Sequence, residues 1–212
     1  GRVRIRGGGP PGRLDAAISL GRPFTGAPFD AVLRVEHADP GAALQDGLHS
    51  DISGELRADG QLGDLNHLVV DGSVRIESSM IYNTPVDTIL ADVGMRAGKI
   101  TVSRLSVTSP ALELNAAASG TPDSLARAEF TLRPRDIRRL PIALSDTSAR
   151  IDGRIHGSLS GRWDALALNT DLQLNAGGFN AGIDSLAGTV SAGLSPTPHA
   201  DFDLEIKTAH IS

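Results

Sequence analysis

Apolar and polar residues alternate along almost the whole chain. Ile151, Gly153, Ile155, Gly157, Leu159, Gly161 and Trp163 take every second position of one stretch, and Leu112, Leu114, Ala116, Ala118 and Gly120 do so in another. A period of two places one set of side chains on one face of a sheet and the intervening set on the other. The pattern predicts strands near 2–6, 13–20, 29–36, 51–58, 66–79, 86–96, 99–108, 111–119, 126–132, 148–160, 165–175, 182–194 and 200–207. The expected fold is therefore all-β, with one apolar and one wet sheet face. Helix signals are poor. The best candidate, from Asp39 to Asp51 with Pro40, Ala42, Ala43, Leu44 and Leu48, reads equally well as one short helix or as an ordered loop.

Turn residues divide the strands. Asp59-Gly60, Asp71-Gly72 and Asp152-Gly153 are of the type that favours positive-φ turns, although the last also fits inside a strand. Ala97-Gly98-Lys99 is expected to close a hairpin. Pro110, Pro122 and Pro134 sit between runs, where a missing N–H does least harm. Gly7-Gly8-Gly9 reads as a turn. Pro10-Pro11, Pro23, Pro28 and 195–198 read as loops, and Arg133 to Pro141 as a longer connection.

The chain also repeats itself. Tyr82-Asn83-Thr84-Pro85-Val86-Asp87-Thr88-Ile89 aligns without a gap to Phe179-Asn180-Ala181-Gly182-Ile183-Asp184-Ser185-Leu186, and more loosely to Phe24 through Val32. A second unit, an alternating strand that ends in Gly before a short turn, recurs at Leu56-Ala58-Gly60, Ala116-Ala118-Gly120 and Gly157-Leu159-Gly161. Degenerate repeats of strand pairs predict an elongated array in which each unit contacts its neighbours. The loose units span about 1–50, 51–147 and 148–212, within one continuous repeat-built segment. The sequence opens and closes in mid-pattern and is expected to be a piece of a longer protein, with unpaired edge strands at both ends.

Composition narrows the function. A net charge of −5 argues against a nucleic-acid partner, which would need a basic stripe. Cysteine is absent, which removes disulfides and thiol chemistry. No apolar run is long enough to span a membrane as a helix. Aromatic residues make up only 3% of the chain, so the apolar face is built from Leu, Val, Ile and Ala. The histidines at 37, 49, 67, 156, 199 and 210 form no metal-ligand pair spacing. His199, Asp201, Asp203 and Glu205 alternate with apolar residues, and the outer face of an amphipathic strand explains them better than a ligand row does. Asp30, Asp87 and Asp184 recur with the repeat and are expected to fix turns. Arg133, Arg135, Arg138 and Arg139 form the densest basic patch, either a solvated loop or a contact for lipid phosphate or an acidic partner. The expectation is no enzyme, no cofactor and no metal.

The run Ile81-Tyr82-Asn83-Thr84-Pro85-Val86, Ile89, Ala91, Val93, Gly98-Lys99-Ile100-Thr101-Val102, Leu105, Val107, Pro110-Ala111-Leu112-Glu113-Leu114 and Ala118-Ser119-Gly120 resembles the AsmA-like/TamB superfamily. The stretch 151–194 repeats this cadence, and 2–35 and 52–76 match it more loosely. The resemblance rests on rhythm and carries no catalytic residues. It implies a curled sheet, a β-taco or open groove with an apolar inner face. It also implies a periplasmic protein of Gram-negative bacteria, anchored in the inner membrane outside this stretch. Phospholipid would move through it toward the outer membrane, with an Omp85-type partner there.

A greasy slide suits an acyl chain, since each buried methylene is worth roughly 0.8 kcal/mol without any directional contact. Thirteen strands about 4.8 Å apart would make a groove roughly 60 Å long if stacked in one row. The expected lining is Val74, Ile76, Ile89, Val93, Ile100, Val102, Leu105, Val107, Leu112, Leu114, Phe130, Leu132, Ile151, Ile155, Leu159, Leu168, Leu172, Leu174, Leu204 and Ile206. The alternative is a structural β-solenoid or sandwich stalk of a cell-envelope or surface protein, its apolar face sealed by its own chain. An enzyme on a β-helix, such as a polysaccharide lyase, would want aromatic sugar platforms that the chain scarcely has.

Overall fold

The computed structural model describes residues 2–9, 12–21, 26–39, 50–64, 67–81, 84–122, 124–136, 139, 150–162, 165–178, 181–193 and 199–211. These form thirteen strands: β1 (Arg2–Gly9), β2 (Gly12–Leu20), β3 (Pro28–Ala38), β4 (Ile52–Gln61), β5 (Val69–Ile81), β6 (Thr84–Arg96), β7 (Lys99–Thr108), β8 (Leu112–Thr121), β9 (Ser124–Pro134), β10 (Arg150–Arg162), β11 (Ala165–Gly178), β12 (Ala181–Gly193) and β13 (His199–Ile211). No α-helix occurs among the described residues. Of the candidate helix, Asp39 to Asp51, residues 40–49 lie outside them, and Asp51 forms an antiparallel bridge with Met80.

The chain divides into two compact units, Gly1–Thr108 and Ser109–Ser212. The first holds β1 to β7 and the second β8 to β13. Within each unit the strands follow chain order, every one antiparallel to the next. Neither unit closes into a barrel, since β1 pairs with β2 alone and β13 with β12 alone. The all-β expectation holds, and each of the thirteen predicted segments falls on one strand.

Alternation outranks the local turn signals. Asp59-Gly60 lies inside β4 and Asp71-Gly72 inside β5, so neither makes the predicted turn. Both dipeptides keep the period of two: the Asp takes a polar-face position and the Gly continues the apolar set of Leu56 and Ala58, or of Val70 and Val74. Gly7-Gly8-Gly9 is likewise strand, paired with Leu14, Arg13 and Gly12. Pro28 is the first residue of β3, a position that tolerates a missing donor. The β6–β7 hairpin forms as expected. Ala97 (φ 49°) and Gly98 (φ 71°) are both left-handed, the backbone that a two-residue hairpin loop requires.

The repeats fall at matching places. Their three copies lead into β3, β6 and β12. The recurrent aspartates are not turn-fixers, however: Asp30, Asp87 and Asp184 lie within those strands. Each strand begins two or three residues before its aspartate. The second repeat ends β4, β8 and β10 one residue after Gly60, Gly120 and Gly161. In β9 the pairing slips by one residue against both neighbours, between Ser119 and Gly120 on one side and Leu159 and Gly161 on the other. A bulge therefore sits between two glycines, which permit the extra local twist it brings.

Candidate functional site on an apolar sheet face

Residues opposed across an antiparallel ladder share a face. In the first unit this rule builds four rows. One runs Ile5, Ala16, Leu33, Leu56, Val74, Ala91, Leu105 across all seven strands. The next runs Val3, Ile18, Ala31, Ala58, Gly72, Val93, Val102, and a third runs Gly7, Leu14, Val35, Gly54, Ile76, Ile89, Val107. A fourth, from β2 to β7, holds Leu20, Phe29, Gly60, Val70, Met95 and Ile100. No charged or hydrogen-bonding side chain stands in any of them.

One detail of β7 makes this face continuous. Ile100 and Val102 are even-numbered, Leu105 and Val107 odd-numbered, so strict alternation would split them between faces. The β6–β7 register shifts between Asp92, opposite Arg104, and Val93, opposite Val102, which leaves Ser103 as an extra residue. That bulge returns all four apolar side chains to one face. The Ser103 hydroxyl donates weakly to the Asp92 carbonyl, at 3.4 Å.

The other face of this unit is a charge lattice. One row reads Arg6, Asp15, Arg34, Glu55, Arg75. Arg6 lies 3.3 Å from Asp15, Arg34 2.6 Å from Glu55, Arg104 2.9 Å from Asp92 and Arg96 2.8 Å from Asp71. Glu55 also accepts from Arg57. The hydrogen bond from Arg57, and then that from Arg34, holds the Glu55 carboxyl below its ordinary range, while Glu55 and Glu77 raise Arg57 and Arg75 respectively. Exposed pairs of this kind add little stability each. They do fix register, since a one-residue slip would carry every charge onto the apolar face.

The second unit repeats the arrangement. Leu114, Leu132, Ile155, Leu172, Gly188 and Leu204 form one row, and Ala116, Phe130, Gly157, Thr170, Val190 and Phe202 the next. Ala118, Ala128, Leu159, Leu168, Ala192 and Ala200 form a third. Leu112 faces Pro134, Leu174 joins Leu186 and Ile206, and Ile151 faces Ala176, all on the same side. The Phe130 ring lies over Gly157, where an added Cβ would meet the ring at 2.3 Å. Phe29 leans over Gly60 in the same way in the first unit, at 3.0 Å. In each case a ring on one strand fills the space its glycine partner leaves.

All twenty predicted lining residues thus fall on the apolar face of their own unit. For Ile151, Leu172, Leu204 and Ile206 this is a statement of backbone register alone. The prediction missed the first four strands, where Val3, Ile5, Leu14, Ile18, Leu33, Val35 and Leu56 complete the face. Their own alternation, Val3-Ile5 and Leu14-Ala16-Ile18, was the available signal.

Among the described residues of each unit no second layer covers this face. Ala27, Val86 and Ala111 are the only buried apolar side chains among the described residues, whereas Val3 is 54%, Ile5 55%, Leu14 40% and Leu56 40% exposed. A core of ordinary depth is missing among the described residues.

The remaining candidates are dispersed. In the Arg cluster, Arg135 lies 3.3 Å from Glu113 and Arg139 3.4 Å from Asp136, while Arg133 faces Glu113 across the ladder. Arg138 lies outside the described residues. His37 meets Asp51 at 3.0 Å and His67 meets Asp64 at 2.7 Å. His199, Asp201, Asp203 and Glu205 take polar-face register positions, opposite Gly193, Ser191, Thr189 and Ala187. No group of three metal-ligating side chains occurs among the described residues. No helix among them is long and apolar enough to cross a membrane. Comparison of the chain with protein-family models, with curated proteins and with solved structures found no match in any of the three.

Proposed function

We propose that this chain is a lipid-binding segment whose apolar face shields phospholipid acyl chains on their way between two membranes. One observation carries the reading: four rows free of charge and hydrogen-bonding side chains, spanning the first unit, with large aliphatic side chains left open to solvent. Such a surface offers an alkyl chain dispersion and dehydration along its whole extent, and offers a polar ligand nothing. Contiguous apolar patches of this kind mark interaction surfaces. The periplasm of a Gram-negative cell, an inner-membrane anchor and an Omp85-type outer-membrane partner are part of the same proposal, on the strength of the AsmA-like/TamB cadence. A sealed stalk would need its own second layer on this face, and within each unit the described residues supply none.

Native mass spectrometry of the purified protein should detect bound phospholipid, and Val102→Glu or Leu114→Arg should abolish it. Glu113→Lys, on the opposite face, should retain it. Protein free of lipid that also fails to bind a fluorescent fatty acid would end the proposal, as would equal tolerance of charge on both faces.

A further inference from the structure

On the wet face Arg34, Arg96, Arg104 and Arg127 pair with Glu55, Asp71, Asp92 and Glu129. In the second unit this matching of signs fails at one place. The β9–β10 ladder ends with Leu132 opposite Ile155 on the apolar face. Arg133 and Arg154 are the next residues outward on the two strands, both on the wet face. Across the neighbouring ladders Arg133 faces Glu113 and Arg154 faces Gln173. The Glu113 carboxylate takes Arg135, at 3.3 Å, and Asp136 takes Arg139, at 3.4 Å. Asp152, two residues along β10, faces Asn175. Arg133 and Arg154 are exposed, and among the described residues neither forms an ion pair.

Like charges at neighbouring ladder positions repel and weaken a sheet. A bound anion removes that repulsion. Guanidinium groups side by side present paired N–H donors, the geometry that suits a phosphate better than a single-charged, planar carboxylate needs. The Arg135 side of the cluster is fixed by the backbone: the N–H groups of Arg135 and Asp136 both donate to the Ala111 carbonyl, at 2.8 and 3.1 Å.

We infer that Arg133, Arg154 and Arg135 form a binding site for a phosphate group on the wet face, at the ends of β9 and β10. Arg133 and Arg154 hold its oxygens, and Arg135 gives up its contact with Glu113 to join them. The same chemistry serves a free phosphate ion and the phosphate of a lipid headgroup. The site needs no acyl chain, so it stands apart from the lipid proposal and survives its failure.

Calorimetric titration of the whole chain with inorganic phosphate, and separately with monomeric short-chain phosphatidic acid, reads the site directly. Both should bind saturably, and more weakly as salt rises. Arg133→Gln combined with Arg154→Gln should lower both affinities about tenfold or more. Arg127→Gln, at the other end of β9, should leave them unchanged. The double variant loses a repulsion, so without phosphate it should melt no lower than wild type, and phosphate should raise the melting temperature of wild type alone. Acetate should bind at least about tenfold more weakly than phosphate. Phosphatidic acid bound about tenfold more tightly than phosphate identifies a lipid headgroup as the ligand, and equal affinity identifies the free ion. The inference is overturned by the absence of saturable phosphate binding, by equal affinity in wild type and double variant, by an equal loss in Arg127→Gln, or by acetate binding as well as phosphate.

Discussion

Glu55 takes two guanidinium groups at once, from the next strand and from its own, and its carboxyl titrates below the ordinary range as a result. A lowered carboxylate pKa means that the folded state binds this proton less readily than the unfolded chain. The stability it adds is full above the unfolded value and is lost as the pH falls through the folded one. Thermal melts of wild type and Glu55→Gln should therefore differ at neutral pH and converge in acid, below the ordinary carboxylate range. A difference that persists there would show the ion pairs to be irrelevant. Four residues away on the same face the arrangement is unfavourable: Asp30, Asp59 and Asp71 stand directly opposite one another on β3, β4 and β5. Like charges in that position destabilise a sheet. Asp59→Arg turns two repulsive pairs into attractive ones and should raise stability by about 0.5–1 kcal/mol in urea titration. Neither arrangement is legible from composition. The sequence supplies the charges, but only the register decides that Glu55 meets Arg34 while Asp59 meets Asp30.

At the scale of the strand, the extra residue of β7 is the point where the apolar period changes phase. Deleting Ser103 leaves Ile100, Val102, Leu105 and Val107 in strict alternation, so all four stay on the apolar face without a bulge and keep their partners on β6. The deletion should therefore stay within about 1 kcal/mol of wild type in urea titration. Ser103→Ala keeps the bulge, gives up only a long hydrogen bond, and should stay within about 0.5 kcal/mol of wild type. A loss of about 2–3 kcal/mol on deletion, the size expected for large aliphatic side chains turned off the face, would show that the ladder depends on the bulge itself. The strands themselves were readable, because a period of two persists through nearly every one. The errors arose where a local signal competed with that period. Asp59-Gly60 and Asp71-Gly72 have the residues of a tight turn, yet each sits in phase with the apolar set on either side, and the ladder outweighs the dipeptide. Conversely the bulge at Ser103 leaves a trace in the sequence, the change from even to odd apolar positions between Val102 and Leu105. Read as lining, those residues were placed on one face without the device that puts them there.

For the molecule as a whole, the apolar surface that ordinarily stabilises a domain is only partly withdrawn from water among the described residues. Those residues form a single layer in each unit, and the strands make their ladders with their neighbours in sequence, so cohesion comes from backbone pairing and from half-buried aliphatic rows. A ligand that covers those rows supplies the missing layer. Because it binds the folded sheet and not the unfolded chain, it raises stability by RT ln(1 + [L]/Kd), about 2.7 kcal/mol at a hundredfold excess over Kd. Burial of apolar surface should also give binding a negative heat-capacity change. The expected outcome is a concentration-dependent rise in melting temperature with a monomeric lysophospholipid, and none with glycerophosphocholine, which has the same headgroup and no chain. Val74→Glu, within a charge-free row that crosses all seven strands, should remove most of the rise, whereas Asp59→Arg, one strand over on the wet face, should keep it. If headgroup alone stabilises as well as the acylated lipid, the face is not an acyl surface. If Val74→Glu and Asp59→Arg respond alike, the lipid binds elsewhere than on the four rows.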